Sequence, residues 1–190
     1  MAKPKSEDKR NAILAAATQV FAERGLGAPT AAITGAAGIA EGSLFTYFKT
    51  KDELINALYR ELKLELADAT MSGFPRKQSV RHRLEHLWNG YVRWGVANPD
   101  RQKVLKQIQV WVGLTEESKQ AASAPFSEIQ RMAEDAVTQR IYKDIPQAFI
   151  GAALVALADM TMDFMLRKPQ SAEMYRTAGF EMLWAAVTRR

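Results

Sequence analysis

The segment His82-Arg83-Leu84-Glu85-His86 contains both histidines of the chain, at a spacing that could support metal chemistry. On a helix, histidines four residues apart share one face and can bind zinc, and the glutamate beside them can activate a water molecule. Arg81 and Arg83 would repel a bound dication, and the chain has no cysteine to complete a zinc site. A solvated helix face, without a metal or other cofactor, is therefore the favoured interpretation, and a zinc-dependent hydrolase is kept as an alternative.

Two aspartates, Asp159 and Asp163, lie one helical turn apart in the most apolar stretch of the chain, residues 149–165. Burying an unpaired carboxylate is costly, so each must reach the rim of the core, pair with a hydroxyl or an arginine, or face a pocket. In the last case the carboxylates would attract a cationic aromatic ligand. The same aspartates interrupt the stretch before the ~20 apolar residues that a membrane span needs, so no membrane segment is predicted.

The centre of the chain concentrates aromatic side chains, at Tyr59, Trp88, Tyr91, Trp94 and Trp111. Aromatic residues at helical spacing usually fill the core, which is the default interpretation. Alternatively, Trp88 and Tyr91 line one wall of a cavity with Leu84. Residues 74–109 also hold eight basic side chains against two acidic ones. This excess predicts a solvated surface, with an anionic ligand or a secondary DNA contact as less favoured alternatives.

Residues 33–48 have the layout of a helix-turn-helix. Two very short helices, 30–37 and 41–47, flank Gly38, which is free to adopt positive φ at the turn. Ile39 is placed to fill the joint, and Leu44 and Phe48 share the inward face. The remaining faces carry small, hydroxyl and aromatic residues, which can enter a DNA major groove and contact phosphates, base edges and thymine methyls. These are Ser43, Phe45, Thr46 and Tyr47.

Helices alone are predicted to position these residues. Apolar residues recur every three or four positions almost everywhere, and no Asn-Gly or Asp-Gly hairpin signal occurs. The predicted fold class is all-α, with nine or ten helices: an N-terminal three-helix helix-turn-helix domain followed by a C-terminal helical bundle. Thr50-Lys51-Asp52-Glu53 is a capping box that starts a long helix to about Met71. A later helix is predicted to begin at Pro125 and to continue through Ile141.

The composition is that of an ordinary globular protein. The chain of 190 residues is 47% hydrophobic and 25% charged, which argues against disorder and against a coiled coil alone. With no cysteine and no apolar segment behind the first residues, neither a disulfide framework nor a secretory leader is expected, and the predicted location is the cytoplasm. A net charge of +5 is compatible with a nucleic-acid partner but does not identify one.

The helix-turn-helix segment resembles the DNA-binding domain of the TetR/AcrR family of transcriptional repressors. The likeness spans roughly residues 8–60 and includes the motifs Glu23-Arg24-Gly25, Ala37-Gly38-Ile39, Gly42-Ser43-Leu44-Phe45-x-Tyr47-Phe48 and Lys51-Asp52-Glu53-Leu54. Within that family, segments 5–9, 41–45 and 50–58 resemble the RamR-type repressors of multidrug efflux regulators, and Trp88-Asn89-x-Tyr91 and Thr161-Met162-Asp163-Phe164 do so more weakly. The resemblance implies a ligand-responsive repressor rather than an enzyme. DNA binding would lie in residues 1–50, and ligand binding and dimerisation in residues 51–190.

The family pattern makes residues 42–47 the recognition helix for double-stranded operator DNA. The expected DNA-binding residues are Thr34, Gly42, Ser43, Phe45, Thr46, Tyr47 and Lys51, with Tyr47 and Lys51 on phosphates. The sequence departs from the family pattern at Pro29, at Ala40, where serine commonly caps the recognition helix, and at Glu41, where lysine is frequent. Loss of a cap costs about 1 kcal/mol and a carboxylate repels phosphates, so modest or sequence-selected affinity is expected.

The resemblance also implies a small hydrophobic or cationic effector bound inside the C-terminal bundle. The expected ligand-binding residues are Tyr59, Lys63, Leu84, Trp88, Tyr91, Leu105, Leu154 and Asp159. A homodimer through residues 146–188 and a near-palindromic operator are implied as well, because a single helix-turn-helix binds DNA too weakly to act alone. Helix 146–167 is apolar on nearly every side, which predicts neighbours all round it. A second alternative, favoured by Ala40 and Glu41, is a helical interaction module that has lost DNA binding.

Overall fold

The computed structural model describes residues 5–189, which fold into ten α-helices joined by short connections. In chain order they are α1 (Lys5–Arg24), α2 (Thr30–Ala37), α3 (Glu41–Tyr47), α4 (Lys51–Met71), α5 (Val80–Ala97), α6 (Pro99–Gln109), α7 (Glu116–Ser123), α8 (Ser127–Thr138), α9 (Gln147–Arg167) and α10 (Ala172–Val187). Within residues 5–189, extended pairing is limited to one isolated bridge between Tyr142 and Thr188. The predicted all-α class with nine or ten helices is confirmed.

The chain divides into two compact units. The first comprises the chain up to Leu64 together with Asn98–Ala124, and the second comprises Glu65–Ala97 together with the chain from Pro125 onward. These units are compact parts of the fold. They do not test the predicted division between DNA binding and ligand binding at residue 50, which stays a prediction.

The first unit is built around the apolar face of α1. Helix α1 packs against α2 and α6, and α2 packs against α3. The side chains at the centre are almost completely buried, and they include Ile13, Ala17, Phe21, Ile33 and Leu44. Apolar positions at helical spacing therefore place α1–α3 as a three-helix unit, as the sequence predicts.

Helix α4 begins at the predicted capping box. The Thr50 hydroxyl accepts a hydrogen bond from the Glu53 amide at 3.0 Å. The Glu53 carboxylate accepts from the amide of Lys49 at 2.8 Å, one residue before the cap. The box thus satisfies amides at the start of the helix, although its second bond is displaced by one residue.

The second unit is a packed bundle of α5, α9 and α10. Its core contains Trp88 and Val92 from α5, Ala158 and Met162 from α9, and Phe180 from α10. Gly179 lets α10 pack closely against both α9 and α5, because a Cβ there would clash with Oγ1 of Thr161 and would lie 2.7 Å from Cζ2 of Trp88.

Helix α8 ends earlier than predicted, at Thr138 rather than beyond Ile141. Arg140 adopts a left-handed conformation with φ 57°, and the amides of Ile141 and Tyr142 both donate to the carbonyl of Ala136. The chain then runs antiparallel to the C-terminal segment, and Tyr142 is buried to 2% exposure. Pairing with a distant segment replaces the last helical turn.

The expectation that α9 has neighbours on all sides is wrong for the single chain. Each of α9 and α10 exposes an apolar stripe, formed by Phe149, Met160 and Phe164 on α9 and by Met174 and Met182 on α10; we call these side chains the α9–α10 apolar face. Among the described residues, α9 is also the one helix long and apolar enough to cross a membrane, which is weak evidence on length and composition alone.

Candidate nucleic-acid interface

The second helix of the helix-turn-helix, α3, divides its residues between an inward and an outward face. Leu44 and Phe48 are buried, at 0% and 2% exposure. Gly42, Phe45 and Thr46 are exposed, and Ser43 and Tyr47 are half-buried. The residues that the sequence assigns to base edges and phosphates therefore lie together along the accessible side of one helix.

The turn between α2 and α3 has the geometry that its residues predict. Gly38 is left-handed, with φ 66° and ψ 32°, and its amide donates to the carbonyl of Gly35. The Ile39 amide donates to the Thr34 carbonyl at 3.1 Å, which closes the end of α2. A residue with a side chain would be strained in this conformation. Glycine at position 38 therefore allows the sharp turn between the two helices.

The start of α3 lacks a side-chain cap. Ala40 has the extended conformation of an N-cap residue but no side-chain group that could accept a hydrogen bond. The Glu41 side chain is exposed, and one of its carboxylate oxygens lies 3.5 Å from the Thr30 hydroxyl, which donates to it. A negative charge thus lies at the N-terminal end of α3, the helix that is expected to bind DNA.

Two cations lie against aromatic rings beside α3. The Lys51 ammonium is 5.9 Å from the ring centre of Phe21, and the Arg10 guanidinium is 5.6 Å from that of Phe48. Both contacts attract the cation to the ring face and hold it on this unit. Arg10 is not among the expected DNA-binding residues, because its contact with Phe48 joins α1 to a residue 38 positions later and leaves no signal within the helix-turn-helix segment.

Thr34 does not share the accessible face. Its side chain is 3% exposed, and its hydroxyl donates to the carbonyl of Ala31 within the same helix at 3.2 Å. The structure argues against the expected direct contact between Thr34 and DNA, because a hydroxyl that satisfies its own helix inside the core has little surface to offer.

The expected effector-binding residues are divided between the two units. Tyr59, Lys63 and Leu105 belong to the first unit, where Tyr59 and Leu105 are buried. Burial raises the pKa of the Tyr59 hydroxyl, against an opposing effect of the Lys119 charge. Burial also lowers the pKa of the half-buried Lys63 ammonium.

Four of the other expected effector residues belong to the second unit and pack in or against its core. Leu84 and Trp88 are core members, and Tyr91 and Leu154 pack against them. The Trp88 indole is 0% exposed, and its Nε1 donates to the carbonyl of Arg176 at 2.9 Å. Of the two interpretations that the sequence leaves open for Trp88, the structure favours core packing over the wall of a cavity.

The two aspartates of α9 have different environments. The Asp163 carboxylate pairs with Arg167 one turn later, with 2.9 Å between Oδ2 and Nη2, and this pair is exposed. Pairing with an arginine was one of the three outcomes that the sequence allowed. Asp159 is half-buried; its expected role toward a cationic ligand stays a prediction.

The His82 and His86 imidazoles are engaged separately. Nδ1 of His82 lies 2.8 Å from the Ser79 hydroxyl. Nε2 of His86 lies 3.0 Å from the Ser72 carbonyl, and because a carbonyl can only accept, this nitrogen carries the proton. Within residues 5–189, no group of three His, Asp or Glu side chains is arranged to hold a metal ion. The arrangement gives no support to the zinc hydrolase alternative.

Comparisons with known proteins agree with this geometry. Residues 13–58 match the family of bacterial regulatory proteins called the tetR family. A protein assigned to the tetR family of transcription regulators, from Shewanella sp. PV-4, has a TM-score of 0.85 and 25% sequence identity over 96% of this chain and 99% of that chain. A TetR family transcription regulator from Marinobacter aquaeolei VT8 has a TM-score of 0.87 and 20% identity, with 98% of each chain covered.

A third structure shows the same fold with a ligand. The transcriptional regulator FadR from Bacillus subtilis, in complex with stearoyl-CoA, has a TM-score of 0.68 and 16% identity over 91% of this chain and 96% of that chain. At this identity the likeness concerns the fold alone. The chain therefore has the fold of TetR-family transcription regulators, and its residues 13–58 match their DNA-binding domain.

Proposed function

We propose that the protein is a homodimeric transcriptional repressor that binds a near-palindromic operator and is released by a small hydrophobic or cationic effector. The observation that carries this proposal is the accessible face of α3, where small, hydroxyl and aromatic side chains lie together while Leu44 and Phe48 anchor the helix from behind. The repressor acts in the cytoplasm and belongs to the RamR-type group of the family.

The proposed base contacts come from the exposed part of α3. Phe45 is 45% exposed, which is enough for apolar contact with a thymine methyl, and the exposed Thr46 hydroxyl can reach a base edge. Gly42 lets the backbone approach the duplex. Tyr47 and Lys51 contact phosphates, which sets the position of the helix without reading the sequence.

The proposed dimer is formed by residues 146–188 of two copies. The α9–α10 apolar face is exposed in the single chain, with Phe149 at 65%, Met174 at 58% and Met182 at 53%. Large exposed apolar patches mark interaction sites, and these side chains lie on two helices that pack against each other. Two copies joined through it would present two recognition helices, whose separation should be close to one helical turn of DNA, about 34–36 Å, or a multiple of it.

The proposed release follows from differential binding. An effector that binds more tightly to a dimer whose recognition helices are wrongly spaced draws molecules out of the DNA-binding state in proportion to that difference. The proposed effector-binding residues include Tyr59 and Lys63 in the first unit and Tyr91 in the second unit, as expected from the sequence. The fold of the FadR structure with stearoyl-CoA supports a small-molecule effector in this class of protein.

A titration with duplex DNA from the protein's own upstream region tests the operator proposal. Thr46→Ala should change the preference among operator variants by about tenfold, because one base contact is worth about 1–3 kcal/mol. Tyr47→Phe should weaken all duplexes alike, since a phosphate contact carries no sequence information. Thr138→Ala, an exposed threonine on α8, is the matched control and should behave as the unmodified protein.

Two outcomes would count against the proposal. Equal losses on every duplex for both α3 variants would remove Thr46 from base recognition. Failure to bind any duplex more tightly than random DNA would favour the alternative of a helical interaction module that has lost operator binding.

A further inference from the structure

An open cavity of about 440 Å³ lies in the second unit, between the last turn of α4 and the middle of α5. The two helices cross at Gly90, where a Cβ would lie 2.7 Å from the carbonyl oxygen of Ala69. Glycine therefore allows the backbones to touch at the crossing. The space beside this crossing is lined by Ala69 and Ser72 on one side and by residues of α5 on the other.

The polar groups of this cavity are mainly hydrogen-bond donors. Asn89 uses its Oδ1 to accept from a guanidinium nitrogen of Arg176, which leaves its amide NH₂ to donate. The Arg93 side chain is exposed and lines the cavity, as does the hydroxyl of Ser72. His86, whose Nε2 donates to the Ser72 carbonyl, also lines the cavity.

The charge of the cavity is positive. Among the described residues that line it, none is acidic, whereas Arg93 brings a full positive charge. The Glu173 carboxylate feels the charge of Arg93, but it is already hydrogen-bonded to Arg176. That hydrogen bond is the main reason that the pKa of Glu173 is lowered. Arg93 belongs to the basic segment 74–109. The proposed DNA binding by α3 does not use the excess positive charge of this segment.

An apolar wall completes the cavity. Trp94 lines it and is 7% exposed, so that little more than one edge of the indole can meet a ligand. The His86 ring, which also lines the cavity, is held by an edge contact with Phe74, with 5.9 Å between ring centres. Such a combination of a few convergent polar groups with aromatic surface is typical of small-molecule sites, and the volume lies within their usual range.

We propose that this cavity binds a small organic anion. Its carboxylate accepts hydrogen bonds from the Arg93 guanidinium and the Asn89 amide, and its apolar part lies against Trp94. This site is distinct from the effector residues expected from the sequence, none of which lines the cavity, and the proposal does not depend on operator binding.

The test is an NMR titration with sodium benzoate at constant ionic strength, following the indole N–H signals of a ¹⁵N-labelled protein. The Trp94 signal, assigned by its loss in Trp94→Phe, should shift in a saturable manner. Benzylamine, which has the same ring and the opposite charge, should cause no saturable shift. Arg93→Gln keeps a polar side chain, although a shorter one, and removes its charge; it should weaken benzoate binding by about tenfold, because a charge-assisted hydrogen bond is lost.

Two further variants control for charge and location. Arg131→Gln removes one exposed positive charge from α8 of the same unit and should leave the benzoate affinity unchanged. Ser72→Leu keeps every charge but fills part of the cavity, and it should also weaken binding. Equal benzoate affinity in Arg93→Gln and Arg131→Gln, or an equal response to benzylamine, would overturn the proposal. Because no DNA is present, these results are independent of the proposed operator binding.

Discussion

Truncation of Trp88 should destabilise the whole protein rather than remove a ligand response alone. The indole is 0% exposed in the core of the second unit. Removing a large buried aromatic side chain costs about 3–5 kcal/mol, because both its transfer from water and its packing are lost. The carbonyl of Arg176 also loses the Nε1 donor of Trp88, which adds about 1 kcal/mol at the lower end of the usual penalty.

The expected loss for Trp88→Ala is therefore about 4–6 kcal/mol, a large fraction of the stability of a typical domain. For a chain of this length, each kcal/mol lowers the melting temperature by roughly 2–4 °C. Thermal unfolding followed by circular dichroism should thus show a drop of roughly 8–24 °C. Trp88→Phe keeps an aromatic ring but loses the hydrogen bond, and it should lie between Trp88→Ala and the unmodified protein.

The same truncation at Trp111 is the matched control. That indole is half-buried and rests on Gly113 in the connection after α6, so Trp111→Ala should cost less than Trp88→Ala. If Trp88→Ala melts within 2–3 °C of the unmodified protein, roughly the effect of 1 kcal/mol, and loses only its response to an effector, the core interpretation is wrong. Trp88 would then line a ligand cavity as the resemblance implies.

Three other predictions follow from the site and the surface. Glu41→Lys should tighten DNA binding and steepen its salt dependence by about 0.9 in the logarithmic slope, one phosphate contact, whereas Glu41→Gln should tighten binding without that change; equal slopes in both variants would place residue 41 away from the backbone. Ala178→Asp, at an exposed position of α10 between Met174 and Met182, should give monomers by light scattering at micromolar concentration, whereas Thr138→Asp should not; a stable dimer would refute the proposed interface. Burial raises the pKa of Tyr142 to about 12 from 10.0. Its neutral form is therefore favoured by folding, and this stability is fully present below pH 10 and lost as the pH rises toward 12. Urea midpoints at pH 8 and 11 should accordingly differ more for the unmodified protein than for Tyr142→Phe.

The helix-turn-helix could be predicted in detail because its geometry depends on local sequence. Gly38 must supply a left-handed turn, and Leu44 and Phe48 are spaced to face inward whatever lies elsewhere in the chain. The capping box at Thr50 is equally local. In each case the hydrogen bonds and the conformational preference involve residues within five positions of one another, so neighbouring residues are enough to predict the structure.

The end of α8 could not be predicted in this way. The apolar spacing continues through Ile141, and nothing local separates a further helical turn from an extended segment. The choice depends on residues more than 40 positions away: the Lys143 amide donates to the carbonyl of Val187, and the Arg189 amide donates to that of Ile141. Burial of Tyr142 in the core favours this pairing over continued helix.

The candidate sites show the same division between local and distant causes. The outward face of α3 follows from helical spacing. The core position of Trp88 depends on the missing side chain of Gly179 on α10, and the cavity between α4 and α5 depends on the close backbone approach at Gly90. A sequence shows that a glycine is present, but the partner that comes close to it is known only from the fold.

Helix α9 has the apolar composition of a buried helix, but several of its apolar side chains are exposed in the single chain. A helix that is apolar on nearly every side is expected to be covered all round, yet Phe149, Met160 and Phe164 are exposed in the single chain. Exposed Asp163 and Arg167 form an ion pair near the end of the same helix, and an ion pair on an exposed helix face is costly inside a bilayer. A second copy of the chain would cover the apolar stripe and leave these charges at its edge in water. The prediction of neighbours all round α9 thus fails for one chain, and it would be fulfilled by the proposed dimer.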